Sequence, residues 1–483
     1  MVHVTFLPDN RTISVEPGCT LLQAQIAAGI RADAPCGGKG TCGKCLITAD
    51  GKTVLSCQTS VEQDMTVVLP GRSPVAILTQ GHSGKRRADG THADTAAFDI
   101  GTTTLVAFLM DGKSGEVLAT ASAVNPQIPY GADVISRMEA ALANREPVLQ
   151  KCILPALAHL LRELTEHPEE ITLVSVVGNT AMHHLLLGID PKPLVTPPYM
   201  PMVREAMEIP AAPLLPVHPD GILRILPNIA GFVGSDTVAC MTAADFGALE
   251  ELTLLLDIGT NGEMVLGDKH RRIACSAAAG PAFEGAAISM GMRGSPGAID
   301  HVWIEGDKIF HHVIGETNAM GLCGSGLLDL TACLLELEIL DESGFLEGGQ
   351  FTVPGTCVSL TQKDIREIQL AKAAIRAGIE LMCAHLGVRT GEICSVLLAG
   401  AFGTTMDPRS ACSIGLIPSV LLHRIRAIGN AAGEGAKQCA VSAAAYEYSK
   451  QLAAGTEFLE LASNPDFQEY FVDALEFDKE ETA

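Results

Sequence analysis

Four cysteines near the N-terminus have a spacing that suits metal chemistry. They follow the pattern C-x5-C-x2-C-x11-C and are Cys36, Cys42, Cys45 and Cys57. A two-iron, two-sulfur cluster needs four such thiolate ligands, most of them on one loop that wraps around it. The loop also contains the glycines Gly37, Gly38, Gly40 and Gly43, which let the backbone turn tightly and point N–H groups at the sulfurs. Zinc sites usually combine two short cysteine pairs and only one C-x2-C is present, so a zinc site and plain structural cysteines are the weaker alternatives.

The elements around this loop predict a small domain over residues 1–70. Strands are expected at Val2–Leu7 and Thr12–Val15, and Thr20 is the expected N-cap of a helix at Leu21–Ala28. Further short strands are expected at 46–49, 54–57 and 66–69. The segment resembles the [2Fe-2S] ferredoxins of the α+β β-grasp fold, in the branch with five residues between the first two ligands.

The next segment, residues 71–95, is dominated in its second half by Gly, Ser, Thr and charged residues. This composition predicts a flexible linker with an end-to-end distance of about 25–30 Å. Such a linker would let the cluster domain swing between an electron donor and an acceptor.

The remainder of the chain contains an internal repeat. Asp99-Ile-Gly101-Thr102 and Asp257-Ile-Gly259-Thr260 each follow an apolar strand and precede two further strands separated by a turn. A second pair of strands, ending at Gly178 and Gly400, each leads towards a helix. A duplicated α/β unit explains both pairs.

The repeated loop suits phosphate and cation binding. Glycine permits a tight turn with outward-facing N–H groups, and two facing loops are able to hold a nucleotide's phosphates from both sides. Asp99 and Asp257 could then hold Mg²⁺ directly or through water. Two ordinary hairpins in a duplicated fold are the alternative interpretation.

Three motifs make residues 96–455 similar to the superfamily of acetate and sugar kinases, heat-shock chaperones and actin, whose two-lobed core is RNase H-like. They are Gly101-Thr102-Thr103-Thr104, Gly259-Thr260-Asn261-Gly262-Glu263, and Leu397-Leu398-Ala399-Gly400-Ala401-Phe402-Gly403. The resemblance implies an ATPase with lobes at 96–250 and 251–455, followed by an acidic tail at 456–483. The tail either docks on the core or on a partner, or it is a frayed terminus.

The combination of both halves resembles the reductive activators of corrinoid proteins. Stretches typical of that family include Gly178-Asn179-Thr180, Ala278–Gly285 and Gly429-Asn430-Ala-Ala-Gly433. The resemblance implies ATP-driven transfer of one electron from the cluster to an inactive Co(II) corrinoid protein, which regenerates Co(I) for methyl transfer. It also implies an upstream low-potential donor. A homodimer is a further expectation. Because the core starts near residue 96, we expect the middle domain of better-known members to be missing.

The resemblance assigns roles to the named residues. Asp99 and Asp257 position Mg²⁺ and the attacking water, and Glu263 polarises water unless it is a strand-edge carboxylate. The phosphates are assigned to Gly101, Thr102, Thr103, Gly259, Thr260 and Asn261. The adenosine site is assigned to Gly400 and Gly403, with Gly280, Gly324 and Gly433 as weaker candidates.

Three rival functions stay open. One is an ATP-driven electron injector for another metalloenzyme, which the four-cysteine loop argues against. The others are a small-molecule kinase with a fused redox sensor, and a binding protein that uses nucleotide only as a switch.

His183 and His184 could bind cobalt or haem, but adjacent residues on a helix point in different directions. Cys275 and Cys323 are more simply core thiols than redox groups.

Composition excludes several classes of protein. The 483 residues contain 33 basic and 56 acidic side chains, for a formal net charge of −23, which disfavours nucleic acid or an anionic membrane as the main partner. No apolar run approaches the roughly 18 residues of a membrane span, and the first residues alternate like a strand rather than a signal peptide. The scattered cysteines show no disulfide framework, so we expect a reduced, cytoplasmic protein.

Overall fold

The computed structural model describes residues 1–8, 10–30, 32, 34, 36–40, 43–69, 78–81, 87–131, 133–144, 147–259 and 261–477. The predicted site residues Cys42 and Thr260 lie outside these ranges. Within them, no helix combines the length and the apolar character that crossing a lipid bilayer requires.

The N-terminal domain is a five-stranded sheet packed against one helix. The side chain of Thr20 accepts a hydrogen bond from the Gln23 N–H and the Gln23 side chain accepts one from the Thr20 N–H, which confirms the predicted N-cap. Phe6, Leu21 and Val67 are fully buried between sheet and helix. The sheet has the strand order β2-β1-β5-β3-β4. Its elements are β1 (Val2–Leu7), β2 (Arg11–Val15), α1 (Leu21–Ala27), β3 (Leu46–Ala49), β4 (Lys52–Leu55) and β5 (Met65–Val68).

The first lobe of the large domain is built on a six-stranded sheet with the order β10-β11-β9-β6-β7-β8. Its central strand ends at the predicted first phosphate loop. The elements are β6 (Asp94–Ile100), β7 (Thr104–Asp111), β8 (Val117–Val124), α2 (Val134–Ala143), α3 (Val148–Leu164), β9 (Ile171–Gly178), α4 (Thr180–Leu187), α5 (Lys192–Val195), β10 (Met207–Pro210), β11 (Ile222–Ile225) and α6 (Ser235–Ala243).

The second lobe repeats this plan with the sheet order β21-β20-β12-β13-β14-β22, and adds a three-stranded and a two-stranded sheet. Its elements are β12 (Thr253–Ile258), β13 (Gly262–Gly267), β14 (Arg272–Ala277), β15 (Ala298–Glu305), β16 (Lys308–Val313), β17 (Gly321–Leu322), α7 (Gly324–Glu336), β18 (Gln350–Thr352), β19 (Ser359–Thr361), α8 (Gln362–Leu386), β20 (Ser395–Ala399), α9 (Gly400–Thr405), α10 (Pro408–Ser413), β21 (Ile425–Gly429), α11 (Ala431–Val441), α12 (Ala443–Ala454), β22 (Glu457–Phe458) and α13 (Pro465–Asp473).

The two lobes share one local topology, which confirms the predicted duplication. In each, three consecutive strands pair antiparallel, and the first of them pairs in parallel with a later strand: β6 with β9, and β12 with β20. Helices α6 and α11 pack on each other between the lobes. The apolar side chains around them come from both sheets and include Phe108 and Leu255.

Two segments outside the lobes contact the large domain. Within the predicted linker, Leu78–Gly81 lies beside Gly429 and Asn430, and the Asp89 carboxylate accepts a hydrogen bond from the Ala443 N–H at 2.8 Å. Within the predicted tail, α13 packs against α8. Phe477 is only 3% exposed, so the described part of the tail docks on the core rather than fraying.

Candidate iron–sulfur site and nucleotide cleft

Three of the four predicted cluster ligands lie together beside α1. Cys45 and Cys57 are buried with Leu22, and Cys36 is half-buried. Burial raises the pKa of the Cys57 thiol, and the neighbouring Cys45 and Cys36 add to that increase. The fourth predicted ligand, Cys42, lies outside the described residues.

The loop around these thiols has the backbone that a buried cluster requires. Its glycines all have positive φ: Gly37 (+62°), Gly38 (+86°), Gly40 (+76°) and Gly43 (+67°). Gln58 donates to the Cys57 Sγ at 3.5 Å and to a loop carbonyl at 3.1 Å. In the described part of the chain no three His, Cys, Asp or Glu side chains surround one metal position. A [2Fe-2S] cluster takes four cysteines for its two irons, so it does not require three ligands around one ion.

The cluster loop contacts both lobes of the large domain. On the first lobe, the Lys39 ammonium lies 3.3 Å from the Glu139 carboxylate. On the second, Lys44 Nζ donates to the carbonyl oxygens of Ile288 and Gly291 at 3.2 and 2.8 Å. The described residues therefore place the cysteines beside the elements that border the cleft.

The first phosphate loop is a hairpin turn held by side chains. The Gly101 N–H donates to the Thr104 carbonyl at 2.9 Å. Asn125 donates its side-chain amide to the Gly101 carbonyl at 2.8 Å. Asn179, the N-cap of α4, donates to the Thr102 hydroxyl at 2.9 Å. These bonds fix the loop at the end of β6, where its residues line the cleft.

A buried cation supports the same loop. Arg137 has no exposed surface and donates to the carbonyls of Thr102 and Gly131, the latter at 2.8 Å. Burial lowers the pKa of its guanidinium to about 10. Sequence analysis missed this residue because one arginine in an amphipathic helix resembles an ordinary surface charge.

The second phosphate loop is tighter. The Gly259 N–H donates to the Asn261 carbonyl at 2.9 Å. The Asp257 carboxylate accepts a weak bond from the Cys240 thiol at 3.8 Å. A Cβ at Gly400, where φ is +79°, would lie 2.5 Å from the carboxylate oxygen of Asp257. Glycine is therefore required at position 400, because the backbone has a positive φ there and because a side chain would clash with Asp257.

Four carboxyl groups converge between the loops. Burial raises the pKa of Asp99 to about 7, with Asp257 adding to the increase and the Asn430 side chain opposing it. Burial raises the pKa of Asp257 to about 6. Burial and the charge of Asp257 raise the pKa of Asp236 to about 7, and the pKa of Glu263 is raised well above its usual range, first by burial and then by Asp236 and Asp257.

Asp236 is the functional candidate that sequence analysis missed. It lies in the first turn of α6, after Gly234. A carboxylate in a first helical turn is normally explained by the helix dipole, so nothing in the spacing of Asp236 links it to the repeated loops. Among the described residues no three carboxylates surround one cation position. The set instead suits Mg²⁺, which keeps several waters and takes one or two carboxylates.

A contact across the cleft joins the two loops. The Thr103 hydroxyl donates to Glu284 at 3.3 Å. A Cβ at Gly259 would lie 3.7 Å from the other Glu284 oxygen. One glutamate of the second lobe therefore borders both phosphate loops.

The remaining candidate glycines lie around the same cleft. Gly403 is the buried residue of α9, and Gly433 donates its N–H to the Asn430 side chain at 2.6 Å. Gly324 packs beneath Phe283 and Phe402, whose rings stack at 5.1 Å. Gly280 has φ of +74° with open space where a side chain would be.

The histidines and spare cysteines take structural roles. His183 and His184 are buried on α4, where the ring of His183 bonds to Asn228 at 2.6 Å and that of His184 to the Thr180 carbonyl at 2.8 Å. Cys275 and Cys323 are buried. The described geometry agrees with core positions for all four residues.

Comparison with known proteins gives three family matches that together span most of the chain. Residues 2–69 match the 2Fe-2S iron-sulfur cluster binding domain, residues 95–248 match the RACo middle region, and residues 251–483 match the C-terminal domain of RACo, the ASKHA domain. The corrinoid activation enzyme RamQ of Eubacterium limosum is 34% identical over 410 residues, covering 78% of this chain and 69% of that protein. The chain belongs to the RACo-type family of reductive activators of corrinoid proteins.

Other members support the assignment. The [Co(II) methylated amine-specific corrinoid protein] reductase of Methanosarcina barkeri is 27% identical over 354 residues, covering 67% of this chain and 65% of that protein. The chain thus spans about two thirds of the length of these two curated relatives. A solved structure, the reductive activator for corrinoid, iron-sulfur protein, matches with a TM-score of 0.72 and 28% identity, covering 99% of this chain and 98% of the other.

Membership of the RACo-type family confirms the predicted fold, a [2Fe-2S] ferredoxin domain followed by an ASKHA domain of the actin and sugar-kinase type, which supports ATP binding. The segment predicted as a first ATPase lobe, residues 96–250, coincides with the family's middle region at residues 95–248. The expectation that an extra domain between the linker and the core is missing stays a prediction.

Proposed function

We propose that this protein is an ATP-dependent reductive activator that passes one electron from its [2Fe-2S] centre to the Co(II) of a corrinoid protein. When bound and reduced, the cluster supplies one electron, and the electron converts Co(II) to Co(I). The single observation that carries the proposal is the position of the cysteine loop, which contacts both lobes of an ATP-binding body in a chain of the RACo-type family.

Energetics explain why nucleotide is needed. Plant-type [2Fe-2S] centres have reduction potentials of about −400 mV. For one electron, each shortfall of roughly 59 mV costs about 1.4 kcal/mol. Closure of the two lobes on a nucleotide offsets such a cost by favouring one arrangement of the cluster domain and the corrinoid protein. Hydrolysis then reverses the closure.

The chain's own residues divide this work. Cys36, Cys45 and Cys57, with Cys42, hold the cluster, and Gln58 donates to the Cys57 sulfur. Hydrogen bonds to ligand sulfurs are one of the means by which a protein sets cluster potential. The Gly101 and Gly259 N–H groups close the turns of the two loops, and Thr102, Thr103, Thr260 and Asn261 bind the phosphates. Asp99 and Asp257 hold the hydrated Mg²⁺ and orient water, Glu263 polarises that water, and Gly400 and Gly403 border adenosine.

Electron transfer is tested by mixing the reduced protein with Co(II) corrinoid proteins and following cobalt absorption with and without Mg-ATP. We expect Co(I) to form only with Mg-ATP. Cys57→Ser should abolish it, whereas Cys19→Ser, a half-buried thiol of the same domain away from the site, should not. Equal reduction without ATP would remove the coupling, and a phosphorylated small molecule as product would favour a kinase instead.

The nucleotide site is tested by Gly400→Ala with Gly355→Ala as its matched control. Both glycines have positive φ, +79° and +77°, but a Cβ meets Asp257 only at position 400. The backbone penalty is therefore similar, and only Gly400→Ala should weaken ATP binding, measured by titration calorimetry. Equal binding by both variants would move the nucleotide away from this cleft.

Three further parts belong to the proposal. A low-potential donor reduces the protein, the protein acts in the cytoplasm, and it forms a homodimer. Light scattering at several concentrations tests the dimer, and reduction by candidate ferredoxins or flavodoxins tests the donor.

A further inference from the structure

The described part of the linker is bound to the edge of the nucleotide cleft. Gly81 forms an antiparallel bridge with Gly429, the last residue of β21. The Asn430 N–H donates to the Gln80 carbonyl at 3.0 Å, and the Asn430 side-chain amide donates to the Leu78 carbonyl at 3.3 Å. A chain segment expected to be free is thus held at residues 78–81 by Gly429 and Asn430.

The same asparagine belongs to the cleft. Its side-chain oxygen caps α11 by accepting the Gly433 N–H at 2.6 Å. Helix α11 packs on β6, which ends beside Asp99, and on α6, which carries Asp236. The Asn430 side chain also interacts with the Asp99 carboxyl group, where it opposes the increase in the pKa. The side chain that interacts with Asp99 is thus the one that donates to the Leu78 carbonyl of the linker.

The contact between the linker and the end of β21 has no space for a side chain at Gly81 or Gly429. A Cβ at Gly81 would lie 2.6 Å from the Asn430 carbonyl oxygen and 2.8 Å from the Glu434 side chain. A Cβ at Gly429 would lie 2.6 Å from the Gln80 carbonyl oxygen. Two facing glycines bring the backbones this close, as in other tight approaches of two chains.

The cluster loop is held in a way that depends on both lobes. Lys39 pairs with Glu139 of the first lobe, and Lys44 bonds to Ile288 and Gly291 of the second. A change in the angle between the lobes would alter the distance between these two sets of contacts. Lobe movement thus acts on the cluster domain at the loop and, through α11, at the linker.

We propose that Asn430 is a positioning residue that couples nucleotide binding to release of the linker, and with it the cluster domain. The inference rests on the proposed function only in that ATP binds the cleft. Phosphates and a hydrated cation at Asp99 compete with Asn430 for that carboxylate, and the shift in Asn430 breaks its bonds to Leu78 and Gln80. By linkage, a linker that cannot dock must strengthen nucleotide binding by the same factor.

Gly81→Ala tests the coupling without altering any cleft residue, because the added Cβ displaces the linker from Asn430. The matched control is Gly391→Ala, where a Cβ meets only Val420 at an ordinary 3.7 Å. The first measurement is trypsin cleavage after Arg87, which lies between the anchors at Gly81 and Asp89. In wild type and control, a non-hydrolysable ATP analogue with Mg²⁺ should accelerate it about fivefold or more. Gly81→Ala should be cut rapidly with or without the analogue.

The second measurement is the affinity for the analogue by titration calorimetry. Gly81→Ala should bind it more tightly than wild type by the factor seen in the cleavage rates, a reciprocity that a merely structural contact would not produce. Analogue binding with unchanged cleavage in wild type, or unchanged affinity in Gly81→Ala, would overturn the coupling. Failure of wild type to bind the analogue would instead refute the proposed function.

Discussion

The two phosphate loops have the same four-residue motif but are supported differently. The first is held by side chains that bond its backbone, namely Asn125 and the fully buried Arg137. In the second, Asp257 is bordered by a thiol and by the bare backbone of Gly400. The same motif thus forms one loop that is held by bonds to its backbone and a second loop in which the contacts surround the carboxyl group of Asp257.

The charges show the same division. Asp257 contributes to the raised pKa values of Asp99, Asp236 and Glu263. Asp99 adds to the raised pKa of Asp236, and its own carboxyl group interacts with Asn430. The second loop therefore contributes most to the raised pKa values, while the first loop is held by bonds to its backbone.

The largest expected effect comes from removing the central charge. Asp257→Asn should lower ATP hydrolysis by about 10²-fold or more, because it removes a group that positions the reacting centre. Asp99→Asn should cost less, since Asp99 acts on fewer of the other carboxyl groups than Asp257 does. Steady-state phosphate release measures both variants, and circular dichroism checks their folding. A larger loss for Asp99→Asn would reverse the assigned roles of the loops.

Next in size is loss of the buried cation. Arg137→Met leaves the carbonyls of Thr102 and Gly131 unsatisfied, so it should lower the free energy of unfolding by about 2–4 kcal/mol. Arg162→Ala, on the exposed face of α3, is the control and should change it by less than about 0.5 kcal/mol. Urea titration measures both. Equal stabilities would show that the first loop does not depend on Arg137.

A pH series tests the shared titration. Folded-state pKa values of about 6 to 7 for Asp99, Asp236 and Asp257 exceed the ordinary value of 3.8, so the folded protein keeps protons that the unfolded chain has released. The stability that these groups contribute is therefore fully present below about pH 4. It is lost as the pH rises through the folded-state pKa values of about 6 to 7. Without nucleotide, the free energy of unfolding of wild type should fall more steeply from pH 4 to 8 than that of Asp257→Asn. Parallel curves would contradict the coupling.

The smallest expected effect concerns the bond across the cleft. Thr103→Val removes the hydroxyl that donates to Glu284 at 3.3 Å, and Thr103→Ser retains it. We expect Val to weaken nucleotide binding by about three- to tenfold, corresponding to a hydrogen bond of about 1 kcal/mol, and Ser to restore it. Calorimetric titration of both variants decides whether the contact matters.

Much of the fold was predictable because its causes are local. Thr20 with Gln23 specified the start of α1, and glycines at positive φ marked the cysteine loop. The repeated Asp-Ile-Gly-Thr indicated a duplicated sheet because each copy lies between strands of the same pattern. The extent of the family's middle region, residues 95–248, came only from the comparison, because family segment boundaries are not visible in one sequence.

Residue types and their spacing specify the cysteine loop, the repeated Asp-Ile-Gly-Thr and therefore the two kinds of chemistry that the chain combines. The folded arrangement is needed to see that Asp236 joins Asp99, Asp257 and Glu263, that Arg137 supports the first loop, and that Asn430 contacts the linker. The physical reason is that these roles depend on burial and on contacts between residues distant in the chain. Neither is encoded by residue type or local spacing.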